Sequence, residues 1–132
     1  MDNCNGKVIS EIGVAMAVER LLRAGFRVAV PIVDEGYDLL AFDQRRYWRL
    51  QVKASEATGK WSRTRIRIVC GRRKNTRYCP KQVDAFVVVH TAKRIVMCVP
   101  VAVTNGRRYL NWSAADQWGD MGVLRTIKPQ RC

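Results

Sequence analysis

The chain is predicted to be an α/β domain, with a central mixed β-sheet flanked by helices. Three observations lead there. The segment from Lys7 to Ala24 carries apolar residues at helical spacing; three short strand-like stretches then follow at hairpin-sized intervals; and Val83 to Val89 is a nearly continuous run of β-branched residues.

In the first segment, Val8, Ala15, Val18 and Leu22 recur three and four residues apart, with Ile12, Met16 and Leu21 beside them. Asn3 or Asn5 can cap its start. Gly25 supplies its stop, since only glycine enters the left-handed conformation of a helix C-terminus without steric cost. The strand-like stretches are Phe26 to Pro31, Tyr37 to Asp43 and Tyr47 to Ala54. They are separated by Asp34-Glu35-Gly36 and Gln44-Arg45-Arg46, so an antiparallel meander is expected. A basic connection from Lys60 to Arg77 contains a strand candidate at Arg65 to Cys70, where Ile66, Ile68 and Cys70 alternate with polar residues. Val83 to Val89 has the pattern of a strand buried on both faces, because neither face offers water a polar side chain. Ile95 to Val103 is a further strand, and Ser113 caps a short helix through Trp118.

A chain of 132 residues with 48% hydrophobic and 8% aromatic residues is expected to form one packed domain over 1–132, with a basic loop at about 56–81. The charge is strongly biased: 24 Lys and Arg against 11 Asp and Glu, a formal +13. That excess favours a polyanionic partner, because each cation that meets a phosphate releases condensed counterions. An anionic membrane surface or a merely solvated basic face would leave the same imprint. No run of 18 apolar residues exists, and Met1-Asp2-Asn3-Cys4 has neither the positive start nor the apolar stretch of a signal peptide, so a cytoplasmic, nucleic-acid-facing protein is expected. Five scattered cysteines (Cys4, Cys70, Cys79, Cys98, Cys132) include no CxxC pair and read as reduced thiols. The single histidine, His90, ends an apolar run and reads as a strand-end residue.

The functional signal lies in polar residues that interrupt apolar patterns. Positions 8, 11, 15, 18 and 22 form one helical stripe, and the odd member is Glu11. A carboxylate within a core-facing stripe needs a cation, a metal or several hydrogen bonds. Alternatively the stripe is rotated, Ile12 and Met16 face the core, and Glu11 lies at a solvated boundary. In the second strand, alternation places Asp38 on the face of Leu40 and Phe42, away from Tyr37, Leu39 and Ala41; it can equally be a turn residue after Gly36. The third strand sets Trp48, Leu50, Val52 and Ala54 on one face and Tyr47, Arg49, Gln51 and Lys53 on the other, a pattern that any half-exposed strand shows. Taken together, an acid on a helix, an acid on one strand and a polar-x-Lys on the next can converge at one edge of a small sheet.

On these residues the chain resembles the PD-(D/E)XK nuclease superfamily, whose restriction-endonuclease-like core runs helix, three-stranded meander, helix, strand. The resemblance spans Glu11 to Pro100. The stretch Tyr37 to Ser55, with Asp38 and Gln51-Val52-Lys53-Ala54-Ser55, looks like the branch of small enzymes that contains archaeal-type Holliday junction resolvases and a group I intron homing endonuclease. The resemblance implies that Asp38 is a direct metal ligand, that Lys53 is the motif lysine, that Glu11 is the first-helix glutamate, and that Gln51 stands in place of the second acid. Tyr37 occupies the position of the motif proline. A neutral amide at Gln51 gives the site about one negative charge fewer than three acids would, which implies weaker metal binding, or one firmly held metal rather than two.

The activity implied is Mg²⁺- or Mn²⁺-dependent hydrolysis of DNA phosphodiesters, site-specific in the manner of homing or restriction enzymes, by a homodimer or homotetramer. The alternative substrate is a Holliday junction, recognised by its shape. A non-catalytic nucleic-acid-binding module on the same fold is the alternative of another class. The DNA contacts expected are Lys60, Trp61, Arg63, Arg65, Arg67, Arg72, Arg73, Lys74, Arg77 and Tyr78, the densest basic segment with aromatic residues interleaved. Asp34 and Glu35 would replace the acids if the register were shifted, and Asp84 could meet the basic loop through Tyr78.

Overall fold

The computed structural model describes residues 6–33, 35–44, 46–56, 82–104 and 119–128, together with the backbone of 65–67 and 109–111. Helix α1 spans Gly6–Arg23. Its end is a Schellman turn: the N–H of Phe26 donates to the carbonyl of Leu21 (3.0 Å), that of Gly25 donates to Leu22 (3.1 Å), and Gly25 sits at φ +92°. The expected glycine stop is therefore built, and the buried Phe26 returns the chain under the helix.

Strands β1 (Arg27–Ala29), β2 (Leu39–Asp43) and β3 (Arg46–Ser55) form the antiparallel meander. Strand β4 (Arg65–Arg67) pairs antiparallel with β7 (Tyr109–Asn111) in a separate two-stranded ribbon. Strand β5 (Ala85–His90) joins β3 in parallel, Leu50 opposite Ala85 and Ser55 opposite His90, while β6 (Ile95–Pro100) returns antiparallel to β5. The principal sheet thus has the order β1-β2-β3-β5-β6. It is mixed, as expected.

All six residues of β5 are buried, because both faces of the sheet are covered there. On one face Leu50, Val52, Val87 and Cys98 pack with Ala17 and Leu21 of α1 and with Met121 and Leu124 of a 3₁₀ segment, Met121–Thr126; on the other, Phe86, Val88 and Val99 pack with Val83 and Val101. Trp48 is fully buried, its ring edge-on to Phe26 at 5.6 Å, and its indole N–H donates to the carbonyl of Ile127 (2.9 Å). The 3₁₀ segment is further tied down by Arg125, which donates to Asp43 (2.7 Å) and to the carbonyl of Ala24 (3.1 Å).

Two expectations are corrected. The stripe Val8, Glu11, Ala15, Val18, Leu22 is not the buried face of α1: Val8 and Leu22 are 39% and 53% exposed, Ala15 and Glu11 are exposed, and of the five only Val18 packs partly against the core. The buried residues are Gly13, Ala17 and Leu21, with Val14 and Met16 at the flanks; Ile12 also faces outward. The physical cause is close approach. A Cβ built on Gly13 would lie 2.5 Å from the Cβ of Ala54, so the helix rests on β3 through small side chains that carry little hydrophobic weight in the sequence. Secondly, the strand expected over Ile95 to Val103 ends at Pro100, and Val101–Thr104 is a helical turn, α2, in which the Thr104 hydroxyl donates to the carbonyl of Val101 (2.7 Å). The helix expected from Ser113 to Trp118 and the caps at Asn3 and Asn5 lie outside the described residues.

Candidate active site

The sheet forks beside Asp38. This residue precedes β2 and continues its pairing with β3: its N–H donates to the carbonyl of Leu50 (2.8 Å), and its carboxylate Oδ2 accepts from the N–H of Val52 (2.8 Å). The side chain thus occupies the place where a further β2 residue would have bonded. Beyond it, β3 runs on to Ser55 with β5 on its other side, and among the described residues no strand pairs the edge that β2 has left. In a strand the N–H and C=O of one residue point to the same side. The carbonyl of Val52 and the amide of Ala54 are therefore directed into the fork.

A cleft of about 440 Å³ opens at this point, lined by Lys7, Ser10, Glu11, Val14, Asp38, Gln51, Val52, Lys53 and Ala54. All four residues singled out from the sequence border it. Glu11 gets there for a reason other than the one the sequence offered. It lies at the margin of the buried helix face, and the tight contact of Gly13 with Ala54 carries the first turns of α1 to the open end of β3. Gln51 and Lys53 are half-buried on the strand face opposite Leu50 and Val52.

Alternation alone did not point to the remaining lining residues. Lys7 and Val14 are one turn before and one turn after Glu11, so the i−4 and i+3 neighbours of that acid were the available signal. Glu35 is exposed and lies outside the lining of the cleft, and Asp34 is outside the described residues.

The donors of the cleft suit a hard cation. Two carboxylates, one amide oxygen and the Val52 carbonyl are oxygen ligands of the kind Mg²⁺ takes while keeping several waters. Among the described residues no three His, Cys, Asp or Glu side chains group as a metal site.

Asp84, His90 and Cys98 are buried in the fold. Asp84 is buried and grips Arg49: Oδ2 accepts from the Arg49 N–H (2.7 Å) and Nε (3.2 Å), and Oδ1 accepts from Nη2 (3.2 Å). His90 ends β5, buried, with Nδ1 accepting from the N–H of Lys93 (3.2 Å). The Cys98 thiol is pushed up to about 12, first by burial and then by the nearby Asp120 carboxylate, so it is no nucleophile at neutral pH. Of the basic segment, Arg65 and Arg67 belong to β4, while Lys60, Trp61, Arg63, Arg72, Arg73, Lys74, Arg77 and Tyr78 lie outside the described residues.

A mixed sheet of this order, covered by a helix that crosses its forked edge, is the restriction-endonuclease-like fold. Residues 4–112 match the model of the PD-(D/E)XK endonuclease family, and the chain belongs to that family. Among solved structures it is similar to a bacterial homing endonuclease, with a TM-score of 0.65 and 22% identity over 81% of this chain and 74% of that one. It is also similar to Hjc, a Holliday junction resolvase from the archaeal hyperthermophile Archaeoglobus fulgidus, with a TM-score of 0.62 and 12% identity over 92% and 98% of the two chains. At these identities both likenesses are of fold. No curated protein matches the chain. Among the described residues no helix is long and apolar enough to cross a membrane.

Proposed function

We propose that this chain is a Mg²⁺-dependent endodeoxyribonuclease, site-specific in the manner of homing or restriction enzymes, with Glu11, Asp38, Gln51 and Lys53 as its catalytic residues. The observation that carries this reading is the convergence of the four, from α1, the entrance of β2 and the middle of β3, on one cleft at the fork of the sheet.

Glu11, Asp38 and the amide oxygen of Gln51 would hold the ion, with the Val52 carbonyl directed to the same side. When bound, Mg²⁺ supplies charge to the attacked phosphate and lowers the pKa of a water. Asp38 is positioned for this by its bond to the Val52 N–H, which fixes one carboxylate oxygen on the strand at the border of the cleft. Lys53 brings a cation to the same cleft, where it orients the attacking water against the phosphate and stabilises the charge that develops on the phosphoryl oxygens. Gln51 adds an oxygen without charge, so the site holds its ion less tightly than three acids would.

The whole chain acts as one nuclease domain in the cytoplasm, and the basic segment at about 56–81 holds the DNA backbone. A duplex has two strands and each chain one cleft, so a homodimer or homotetramer does the cutting.

The test is a cleavage panel of supercoiled plasmid, a synthetic four-way junction and random duplex, with and without Mg²⁺. Cutting of plasmid at discrete positions supports the proposal, and cutting confined to the junction replaces it with a resolvase. Binding without cutting of any substrate leaves a DNA-binding module. Lys53→Ala should abolish cutting while sparing binding; full activity in that variant would overturn the assignment of the site.

A further inference from the structure

Among the described residues that line the cleft, Lys7 is the cation that the proposed chemistry does not use. It lies on the first turn of α1, exposed, bordering the same cleft as Asp38 and Lys53. Glu11 stands one turn further along the helix, within reach of an i,i+4 pair, yet among the described residues the Lys7 ammonium has no ion-pair partner and the Glu11 carboxylate no cation. The Lys-before-Glu order is the less favourable orientation for such a pair. Among the described residues that line the cleft, the formal charges of Glu11 and Asp38 are matched by those of Lys7 and Lys53. An acid at the position of Gln51 would add one negative charge to that set.

We infer that Lys7 binds a phosphate of the DNA next to the one that is cut, at the outer rim of the cleft; this rests on the nuclease reading of the site. The geometry divides the two lysines. Lys53 is half-buried on β3 between Val52 and Ala54, deep enough to meet the reacting group, whereas Lys7 is exposed at the rim with its stem on a helix end. A cation at the rim meets the backbone as it enters the cleft. Its cost is borne by the metal: a positive charge beside two carboxylates weakens their hold on a divalent ion. Lys7 and Gln51 thus act in the same direction, exchanging metal affinity for affinity to the polyanion.

The experiment compares wild type, Lys7→Ala and Lys7→Arg. Binding to a short duplex is followed by fluorescence anisotropy over a salt series without divalent metal, and Mn²⁺ binding by calorimetry without DNA. One phosphate contact contributes about 0.9 to the slope of log affinity against log salt, so wild type should lose roughly three-fold more affinity than Lys7→Ala between about 50 and 200 mM salt. Lys7→Arg should keep the wild-type slope. Mn²⁺ should bind Lys7→Ala more tightly, the opposite sign to the DNA effect, and in cleavage assays the loss should fall on KM. An unchanged salt slope in Lys7→Ala overturns the inference. So does weaker binding of both DNA and Mn²⁺, which would mean a distorted cleft. Should wild type cut nothing, the nuclease reading falls while the salt series still decides the role of Lys7.

Discussion

The carboxylate of Asp38 accepts a hydrogen bond from the backbone N–H of Val52 at 2.8 Å. One side chain thereby closes the end of the β2–β3 ladder and faces the proposed metal, so structure and chemistry are separable there. Asp38→Asn retains a carbonyl oxygen for the Val52 N–H and should fold like wild type, yet cut no DNA. Asp38→Ala strands that N–H and should lose about 1–3 kcal/mol as well. Urea denaturation alongside plasmid cleavage distinguishes the two; an active Asp38→Asn would remove Asp38 from the chemistry.

Gln51 permits a gain-of-affinity experiment. Gln51→Glu adds a third carboxylate beside Glu11 and Asp38, and since ligand charge is a main determinant of affinity for hard cations, Mn²⁺ should bind about ten-fold or more tightly. DNA binding measured without metal should weaken, because the new charge faces phosphate. Calorimetry that finds equal Mn²⁺ affinity in the two proteins would place Gln51 outside the ligand set.

Gly13 links packing to activity. A Cβ there would meet the Cβ of Ala54 at 2.5 Å, a separation that real side chains do not adopt, so Gly13→Ala must lift α1 from β3. Overpacking of this kind costs about 1–3 kcal/mol, against a gain in helix propensity of up to about 1 kcal/mol. Net destabilisation is expected. Glu11 rides on the same helix, so cleavage should fall even at temperatures where the variant is fully folded. A variant as stable and as active as wild type would show that the contact relaxes freely.

Asp84 and Arg49 form the buried pair that joins β3 to the entrance of β5, their side chains 1% and 14% exposed. Breaking a buried pair by removing one partner costs about 3–5 kcal/mol. Asp84→Ala should lower the urea midpoint accordingly, and thermal melting should show a parallel loss. A shift within error would mean that water reaches Arg49 and replaces its partner.

Much of this organisation was legible in the chain itself. The alternation of Trp48, Leu50 and Val52 with Arg49, Gln51 and Lys53 reports a strand with one buried face, Gly25 marks the helix end, and Val83 to Val89 announces a strand covered on both faces. Each is a local pattern, set by backbone geometry over a few residues and by which side chains avoid water. The face of α1 was not legible, because Gly13 and Ala17 are buried for their smallness and contribute almost nothing to a hydrophobic stripe, while Val8, Ile12 and Leu22 remain outside.

What the sequence determined by itself is the first helix, the meander and the buried strand after it, with Asp38 at the entrance of one strand and Gln51 and Lys53 on the next; Glu11 was singled out on a stripe that is not the buried face of its helix. Only the tertiary structure decided that β5 lies parallel to β3, that Asp38 bonds to Val52 across the fork, that Asp84 is held by Arg49, and that Lys7 shares the cleft. Those relations depend on strand register and on the distance of a helix from its sheet. Both are fixed by packing between residues far apart in the chain, and no local period records them.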